Sequence, residues 1–304
     1  MTSNLPLGPD AVIGVIGAGA MGAGIAQVAA VRGHRVLLAD AAPSAIARAA
    51  EGHRRAFDRE VETGRLDRAQ ADAALARITG VNGVGESELR AFAQCALLIE
   101  AIIEDLGAKQ TLFGALEEVV GDEAVLATNT SSLSVAAIAG ACKRPGRVVG
   151  IHFFNPAPIM PLVEIVRALT TSDETIETLR VFVGSLGKTG VVCKDTPGFI
   201  VNRLMVPYLL SAIRALEQGV ASAEEIDQAV KLGLRHPMGP FELLDYTGLD
   251  INLHVAEIFF DEFKDPNMAP PALLKRMVLA GRLGAKSGRG FYEYDEKGQR
   301  KPST

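Results

Sequence analysis

The stretch VIGVIGAGAMG at residues 12–22 decides the fold class of this 304-residue chain. It starts as an apolar run of strand length, and then the spacing G-x-G-x-x-G leads into an alanine-rich segment with helical periodicity. In such a strand–turn–helix context, Gly17 permits the tight turn, Gly19 lets a pyrophosphate approach the backbone, and Gly22 lets the helix pack on the strand. The sequence therefore predicts a dinucleotide-binding βαβ unit.

Short β-branched runs alternate with longer helical segments through the first two-thirds of the chain. This alternation predicts an α/β fold with a Rossmann-type, doubly wound, mostly parallel sheet. We expect a capping box of Thr171 and Glu174 to begin the helix before the last strand, and the helix to end at Gly187. The predicted strands are residues 11–16, 35–39, 96–101, 124–128, 147–151, 162–166 and 189–193.

Beyond residue 194 the strand pattern stops and the sequence becomes helical, with a second capping box at Ser222 and Glu225. We therefore expect an NAD-binding α/β domain over residues 1–194 and a smaller all-α domain over residues 195–304. A charge-rich insert near residues 45–80 predicts a helical hairpin. Its mixed-sign charges are typical of a solvated face, and an anion-binding clamp is the alternative.

Composition argues against several classes of protein. Apolar residues make up 48% of the chain and charged residues 22%, as in globular enzymes rather than disordered chains. The formal net charge of −5 provides no positive field for nucleic acid or for an anionic membrane, so neither partner is expected. No apolar run reaches the roughly 18 residues of a membrane span.

The three cysteines are far apart and form no CxxC pair, so neither a disulfide framework nor a thiolate metal site is expected. The histidines other than His152 have no metal-ligand spacing, and we expect no bound metal. The first residues lack the basic-then-apolar pattern of a signal peptide. These features together predict a cytoplasmic protein.

Asp40 ends the second predicted strand, eighteen residues after Gly22. This is near the distance at which an acidic residue accepts a hydrogen bond from the adenosine ribose 2′-hydroxyl. A carboxylate there repels a 2′-phosphate, and no arginine follows among the next three residues, Ala41, Ala42 and Pro43. The predicted cofactor is therefore NAD rather than NADP.

Polar clusters beginning at Glu104, Asn129 and His152 follow three predicted strands. In a parallel sheet the carboxyl ends of strands lie at the edge where ligands bind. His152 is the only histidine placed in this way. Imidazole, with an ordinary pKa of about 6.5, accepts a hydroxyl proton near neutrality, so we predict that His152 is a general base.

Four stretches resemble the signatures of the NAD-dependent L-3-hydroxyacyl-CoA dehydrogenases, the 3-hydroxybutyryl-CoA group above all. They are NTSSL at 129–133, HFFNP at 152–156, PLVE at 161–164 and DTPGFIVNR at 195–203. The similarity runs from Ile13 to Tyr292. It implies reversible oxidation of a short-chain L-3-hydroxyacyl-CoA to 3-oxoacyl-CoA, with NAD as the cofactor, and a homodimer formed through the helical domain.

The resemblance also implies roles for individual residues. His152 matches the general base, and Glu164 matches the carboxylate that orients it. Ser131 and Asn202 match groups that hydrogen-bond the reacting part of the substrate. The positions that contact NAD, beside Gly17, Gly19 and Gly22, are matched by Asp40, Glu104, Lys109, Ser131, Asn155 and Lys286.

The CoA end of the site departs from the family pattern, because Ala56 stands where some members have serine. We expect arginines of the hairpin to bind the CoA phosphates instead. The predicted substrate-binding residues there are Arg54 and Arg55, with Arg59 and Arg65 as further candidates.

Two other interpretations remain open. One is a dehydrogenase of a free hydroxy acid, of the gulonate or carnitine type, which shares the motifs of His152 and Glu164. The other is a non-enzymatic NAD-binding protein, similar to the crystallins related to this family. The complete set of His152, Glu164, Ser131 and Asn202 favours an enzyme, and turnover of substrates with and without CoA distinguishes the interpretations.

Overall fold

The structure, a computed structural model, describes residues 7–8 and 11–302. Most of the first ten residues, whose sequence argues against a signal peptide, lie outside the described residues. The same is true of the outer ends of both predicted domains. The chain divides into two compact units, Met1–Phe199 and Ile200–Thr304. The division follows Phe199 rather than residue 194, because Asp195 caps a helix of the first unit and Phe199 packs in its apolar core.

The first unit contains an eight-stranded sheet. Its strands are β1 (Val12–Ile16), β2 (Arg35–Asp40), β3 (Ile78–Asn82), β4 (Cys95–Glu100), β5 (Val125–Thr128), β6 (Val148–Phe153), β7 (Leu162–Arg167) and β8 (Thr189–Lys194). They are arranged in the order β3-β2-β1-β4-β5-β6-β7-β8. Neighbouring strands are parallel except β6 and β7, which run antiparallel. The predicted Rossmann-type, mostly parallel sheet is therefore confirmed.

Helices connect these strands. They are α1 (Ala20–Val31), α2 (Pro43–Glu62), α3 (Arg68–Ala76), α4 (Glu86–Leu89), α5 (Leu106–Glu117), α6 (Val135–Ala139) and α7 (Asp173–Ser185). The charge-rich insert forms α2 and α3, where buried Phe57 packs on Ala71 and Ala74. Asp67 and Gln70 form a capping box that begins α3.

Apolar side chains cover both faces of the sheet. Along β1, Ile13 and Val15 pack on one face with α1, whereas Val12 and Ile16 pack on the other with Phe113 of α5. Successive side chains of a strand point to opposite faces, so a strand buried on both faces needs an uninterrupted apolar run. This requirement explains the sequence pattern from which most strands were predicted.

The structure differs from the predicted secondary structure mainly at two places. β3 was not predicted, because it is an edge strand with three of its five residues exposed and no apolar run. The Thr171 capping box is wrong, because Ser172 is the N-cap of α7 and accepts from the backbone of Thr175. Thr171 instead donates its hydroxyl to the carbonyl of Val148 and is thereby tied to the sheet.

The second unit is built from the helices α8 (Val201–Glu217), α9 (Ala223–Gly233), α10 (Pro240–Thr247), α11 (Leu249–Phe263) and α12 (Ala272–Leu279). Their apolar faces form one core that includes Ile213, Phe241 and Phe259. The capping box of Ser222 and Glu225 begins α9 as predicted. None of the helices in the described part of the chain is long and apolar enough to cross a membrane.

Two buried carboxyl groups tie the last segment of the second unit to its helices. Asp245 accepts hydrogen bonds from the backbone of Phe291 and Tyr292 and from the Tyr294 hydroxyl, at 2.9 to 3.0 Å. Asp227 accepts the Tyr292 hydroxyl at 2.7 Å. Burial raises the pKa of both carboxyl groups above the ordinary value of aspartate. Tyr292 therefore joins the two carboxyl groups, through its backbone and its hydroxyl.

We expect Tyr292→Phe to lower the free energy of unfolding by about 1–3 kcal/mol, because it removes a hydrogen bond from a buried acceptor. For a protein of this size each kcal/mol lowers Tm by roughly 2–4 °C. Thermal unfolding followed by circular dichroism measures the change. Tyr246→Phe is the matched control, since the Tyr246 side chain is exposed. An equal Tm for wild type and Tyr292→Phe would contradict this role.

Candidate active site

The loop between β1 and α1 needs glycine for two different reasons. Gly17 has φ of 106°, and a Cβ there would overlap the carbonyl oxygen of Ala101. A Cβ on Gly22 would overlap the carbonyl oxygen of Gly17. At Gly19, by contrast, a Cβ would meet no protein atom within 4 Å. The loop is therefore tightly packed at its two ends and leaves open space at its middle glycine.

A cleft of about 610 Å³ lies beside this loop. Gly17, Gly19 and Asp40 line it, together with apolar side chains such as Ile103 and Leu112. Gly19 is the N-cap of α1, no side chain caps this helix, and its first turn has no acidic residue. The unpaired N–H groups and the positive end of the helix dipole favour a phosphate there. The cleft therefore fits NAD, with apolar walls for the adenine.

Asp40 links this loop to the end of β2. One carboxylate oxygen accepts from the backbone N–H of Ala18 and the other from that of Ala42, both at 2.8 Å. A carboxylate oxygen accepts more than one hydrogen bond, so Asp40 retains capacity for a ribose hydroxyl. The structure thus places the predicted ribose-binding residue on the same cleft as the glycine loop.

We expect the wild type to prefer NAD over NADP strongly, because the Asp40 carboxylate repels a 2′-phosphate. Replacing Asp40 with serine and Ala41 with arginine should erode the preference, since the pair removes one negative charge and adds a phosphate partner. The ratio of kcat/KM for the two cofactors measures the change. Ala41→Arg alone is the control that separates added charge from removed charge. Equal kcat/KM values for NAD and NADP in the wild type would refute the assignment.

His152 and Glu164 lie opposite each other on the antiparallel strands β6 and β7. His152 Nδ1 is 2.7 Å from Glu164 Oε2, and both side chains are buried. A carboxylate only accepts, so Nδ1 carries the hydrogen and Nε2 is left as the acceptor. The rings of Phe154 and Phe199 lie 4.5 and 5.5 Å from the imidazole, between centroids. The imidazole is therefore held in one orientation and one tautomer.

The loop after β5 is tied to Glu104 and to β6. Glu104 Oε1 accepts from the Thr130 hydroxyl, from the backbone of Ser131 at 3.2 Å and from the Ser132 hydroxyl at 3.3 Å. Asn129 Oδ1 accepts from the backbone of Phe153, next to His152. The structure thus brings together the sequence-predicted residues Glu104 and Ser131.

A buried ionic cluster supports Glu104. Lys109 Nζ lies 2.5 Å from Glu100 Oε1 and 3.3 Å from Glu104 Oε2, and Lys109 and Glu100 are each 1% exposed. The Thr128 hydroxyl donates to the other Glu100 oxygen at 2.7 Å. Burial acts to raise the pKa of Glu104, but the Lys109 ammonium and the Thr130 hydroxyl outweigh it and hold that pKa below its ordinary value. Glu104 is therefore ionised at neutral pH.

Sequence reasoning missed Glu100 and interpreted Lys109 as a direct contact of NAD. The structure instead gives the Lys109 ammonium two carboxylate partners and almost no exposure. The sequence did contain a sign of this ion pair. Glu100 ends the buried run CALLIE, and a carboxylate buried in this way requires a cationic partner.

The remaining predicted residues lie elsewhere in the chain. Asn202 is in the first turn of α8, and Lys286 forms an ion pair with Asp250 at 2.6 Å, both in the second unit. Asn155 follows β6 and is exposed. Arg54 and Arg55 are exposed on α2 and both approach Glu51, at 3.2 and 3.9 Å. In the described residues no group of three histidine, cysteine or acidic side chains is arranged to hold a metal.

Comparisons with known proteins identify the family of this chain. The family described as 3-hydroxyacyl-CoA dehydrogenase, NAD binding domain, matches residues 12–196, and the corresponding C-terminal domain matches residues 198–294. The chain is 46% identical over 284 residues to a 3-hydroxybutyryl-CoA dehydrogenase of Mycobacterium tuberculosis H37Rv, which covers 93% of this chain and 98% of that protein.

Two further relatives give the same result. Human mitochondrial hydroxyacyl-coenzyme A dehydrogenase is 42% identical over 282 residues, covering 92% of this chain and 90% of the human protein. The crystal structure of (S)-3-hydroxybutyryl-CoA dehydrogenase PaaH1 from Ralstonia eutropha has a TM-score of 0.90 at 39% identity, covering 94% of this chain and 99% of that one.

Proposed function

The chain belongs to the 3-hydroxyacyl-CoA dehydrogenase family, and we propose that this NAD-dependent oxidoreductase oxidises short-chain L-3-hydroxyacyl-CoA thioesters reversibly to 3-oxoacyl-CoA. The observation on which the proposal rests most is the 2.7 Å hydrogen bond between His152 and Glu164, in the same unit as the glycine loop. A four-carbon acyl chain is supported by the names of two of the relatives.

In the proposed mechanism His152 Nε2 accepts the proton of the 3-hydroxyl group. As that O–H bond breaks, the carbon–oxygen double bond forms and the hydrogen on C3 departs with its electron pair. NAD, when bound in the cleft, supplies the acceptor for this hydride. Glu164 keeps the hydrogen on Nδ1 and offsets the positive charge that develops on the ring.

Ser131 and Asn202 are proposed to hydrogen-bond the oxygen atoms of the reacting end of the substrate. The three hydrogen bonds from residues 130–132 to Glu104 support this role for Ser131, because they fix the loop before substrate arrives. We place Lys109 and Glu100 behind this loop, where they act through Glu104. We further propose that Asp40, Asn155 and Lys286 contact NAD.

We also propose a cytoplasmic homodimer that associates through the second unit. Several large apolar side chains of this unit are exposed, which is a common property of subunit interfaces. They are Leu204, Val220, Leu232, Leu234 and Leu279. The three cysteines are free, in agreement with a reducing compartment. Light scattering coupled to gel filtration measures the mass of the assembly.

A panel of 3-hydroxyacyl-CoA thioesters and free hydroxy acids, each with NAD and NADP, tests the proposed reaction. We expect the highest kcat/KM for 3-hydroxybutyryl-CoA with NAD. Turnover of a free acid without turnover of any thioester would favour the hydroxy-acid interpretation. NAD binding without turnover of any substrate would favour the non-enzymatic one.

A further inference from the structure

The turn over residues 195–199 follows β8, and the proposed mechanism gives it no role. Its last two residues, Gly198 and Phe199, both have left-handed backbone conformations, with φ of 77° and 50°. Glycine adopts this conformation freely, but for a bulky side chain it is rare and costs free energy. Such outliers persist where the surrounding structure holds them, and they are common at functional sites. The contacts of the Phe199 side chain therefore keep the backbone in this conformation.

The ring of Phe199 packs against the imidazole of His152. The two ring centroids are 5.5 Å apart, at an interplanar angle of 60°, and Phe199 is only 4% exposed. The hydrogen bond to Glu164 fixes Nδ1 but leaves the imidazole able to pivot about that atom. A bulky neighbour that is itself held in place limits this pivot. Phe199 therefore limits the positions that Nε2 of the base can take.

Asp195, at the other end of the turn, holds the first residues of α6. One carboxylate oxygen accepts from the backbone N–H of Val135 at 3.0 Å. The other accepts from the backbone N–H of Ala136 at 2.7 Å and from the Ser134 hydroxyl at 3.0 Å. Hydrogen bonds to a carboxylate are stronger than those between neutral groups. Because Ser134 ends the loop that carries Ser131, the carboxylate holds this loop at the end that leads into α6.

Backbone hydrogen bonds close the turn and tie it to β7, the strand of Glu164. The Asp195 N–H donates to the carbonyl of Arg167, the last residue of β7, at 3.0 Å. The Phe199 N–H donates to the carbonyl of Thr196 at 2.9 Å, a bond between residues three apart that closes a tight turn. So short a closed segment has little freedom to deform. The positions of Asp195 and Phe199 therefore depend on each other.

We propose that the turn over residues 195–199 positions the base and the Ser131 loop relative to each other during the reaction. Phe199 fixes the base, His152, and Asp195 fixes the loop. The inference rests on the proposed function, in which the reacting end of the substrate meets Nε2 of the base and the Ser131 hydroxyl at the same time. Misplacement of a reacting group by about 1 Å lowers a rate by up to about 10²-fold. Neither Phe199 nor Asp195 takes up a proton, and both act through the residues that they hold.

Steady-state kinetics of Phe199→Leu with 3-hydroxybutyryl-CoA and NAD test the role of the ring. Leucine keeps an apolar side chain but loses the flat ring, so kcat should fall about 5- to 50-fold. KM for the thioester and the affinity for NADH should change less than about twofold, because Phe199 contacts neither ligand in this proposal. Phe92→Leu is the matched control, since Phe92 is buried in the same apolar cluster as Phe199. It should lower Tm to a similar extent and leave kcat near that of the wild type.

Asp195→Asn tests the role of the carboxylate. The amide keeps one acceptor oxygen but turns an NH₂ group toward a backbone N–H of α6, so that hydrogen bond is lost. We expect kcat/KM for 3-hydroxybutyryl-CoA to fall about 5- to 20-fold, because the Ser131 loop is no longer held. Asp295→Asn is the matched control, since the Asp295 carboxylate also accepts two backbone N–H groups in a turn, at 2.9 and 2.8 Å. Its kcat/KM should remain near that of the wild type.

The double variant of Phe199→Leu and Asp195→Asn tests whether the turn acts as one element. Residues that act as a unit have non-additive effects, so the loss in kcat should be well below the product of the two single losses. A loss equal to that product would overturn the proposal, because it would show two independent effects. A raised KM with unchanged kcat in Phe199→Leu would also overturn it, since Phe199 would then contact the substrate itself.

Proton NMR separates this proposal from the proposed reaction. A hydrogen bond in a buried site is strong, so the Nδ1–H proton of His152 should exchange slowly with water and resonate far downfield. Its absence in His152→Gln assigns the resonance. We expect it to move or broaden in Phe199→Leu but not in Phe92→Leu, and this result supports the positioning role even if no thioester is turned over. If thioesters are turned over while the resonance and kcat of Phe199→Leu match the wild type, the reaction holds and the positioning role is wrong.

Discussion

Replacing His152 with glutamine is expected to lower kcat by about 10²- to 10⁴-fold, the usual contribution of a general base. Glutamine has a similar size but does not accept the hydroxyl proton. The affinity for NAD should remain nearly unchanged, because the cleft beside Gly19 and Asp40 does not include this side chain. Steady-state kinetics with 3-hydroxybutyryl-CoA and a fluorescence titration with NADH measure the two quantities separately.

Glu164→Gln tests the partner of the base. An amide oxygen still accepts a hydrogen bond from Nδ1–H, but it does not offset the imidazolium charge. We therefore expect kcat to fall in this variant too. If the pair acts as one unit, the double variant will be little worse than His152→Gln alone. Multiplicative losses would instead show that Glu164 acts independently of His152. His254→Gln is the control, since His254 is exposed on α11.

Gly22→Ala is expected to lower the stability of the fold, whereas Gly19→Ala is expected to weaken NAD binding. A methyl group on Gly22 overlaps the Gly17 carbonyl, so we expect a loss of about 3 kcal/mol or more in the free energy of unfolding, together with lost NAD binding. A methyl group on Gly19 meets no protein atom and needs no unusual φ. It should change stability by less than about 1 kcal/mol, yet weaken NAD binding roughly 10- to 100-fold by blocking the pyrophosphate.

Chemical denaturation and calorimetric titration with NAD distinguish these two outcomes. Gly52→Ala is a suitable control, because Gly52 lies within α2 with no atom near its Cβ position. That variant should fold and bind NAD normally, with a small gain from helix propensity. Wild-type NAD affinity in Gly19→Ala would mean that the phosphates do not lie against this loop.

The sequence predicts those parts of the fold that repeat a simple pattern. Strands buried on both faces have uninterrupted apolar runs, and β1, β4 and β5 were found within one residue of their bounds. β3 has few apolar residues and an exposed Gly80, so its sequence does not indicate a strand. Its pairing with β2 stabilises it instead. Thr171 has the residue type of an N-cap, but its hydroxyl has a better acceptor in the neighbouring strand.

The site was predictable where residue type and position together imply a chemistry. A histidine at the end of a strand and a glycine loop before a helix each have such a meaning. The sequence does not show in which direction a long side chain points, as Lys109 illustrates. Helical periodicity places Lys109 on α5, but only the arrangement of Glu100 and Glu104 across β4 and its following loop shows that its ammonium is buried.

The reversal of β7 and β8 relative to the other six strands has an evolutionary consequence. Because His152 and Glu164 face each other through backbone pairing, their contact is fixed by strand register rather than by the connecting loop. The exposed part of that loop, around Ile159, can then change without displacing the pair. A one-residue slip of β7, by contrast, turns Glu164 to the opposite face of the sheet and separates the pair. Insertions should therefore be tolerated better beside the exposed Ile159 than within the strand.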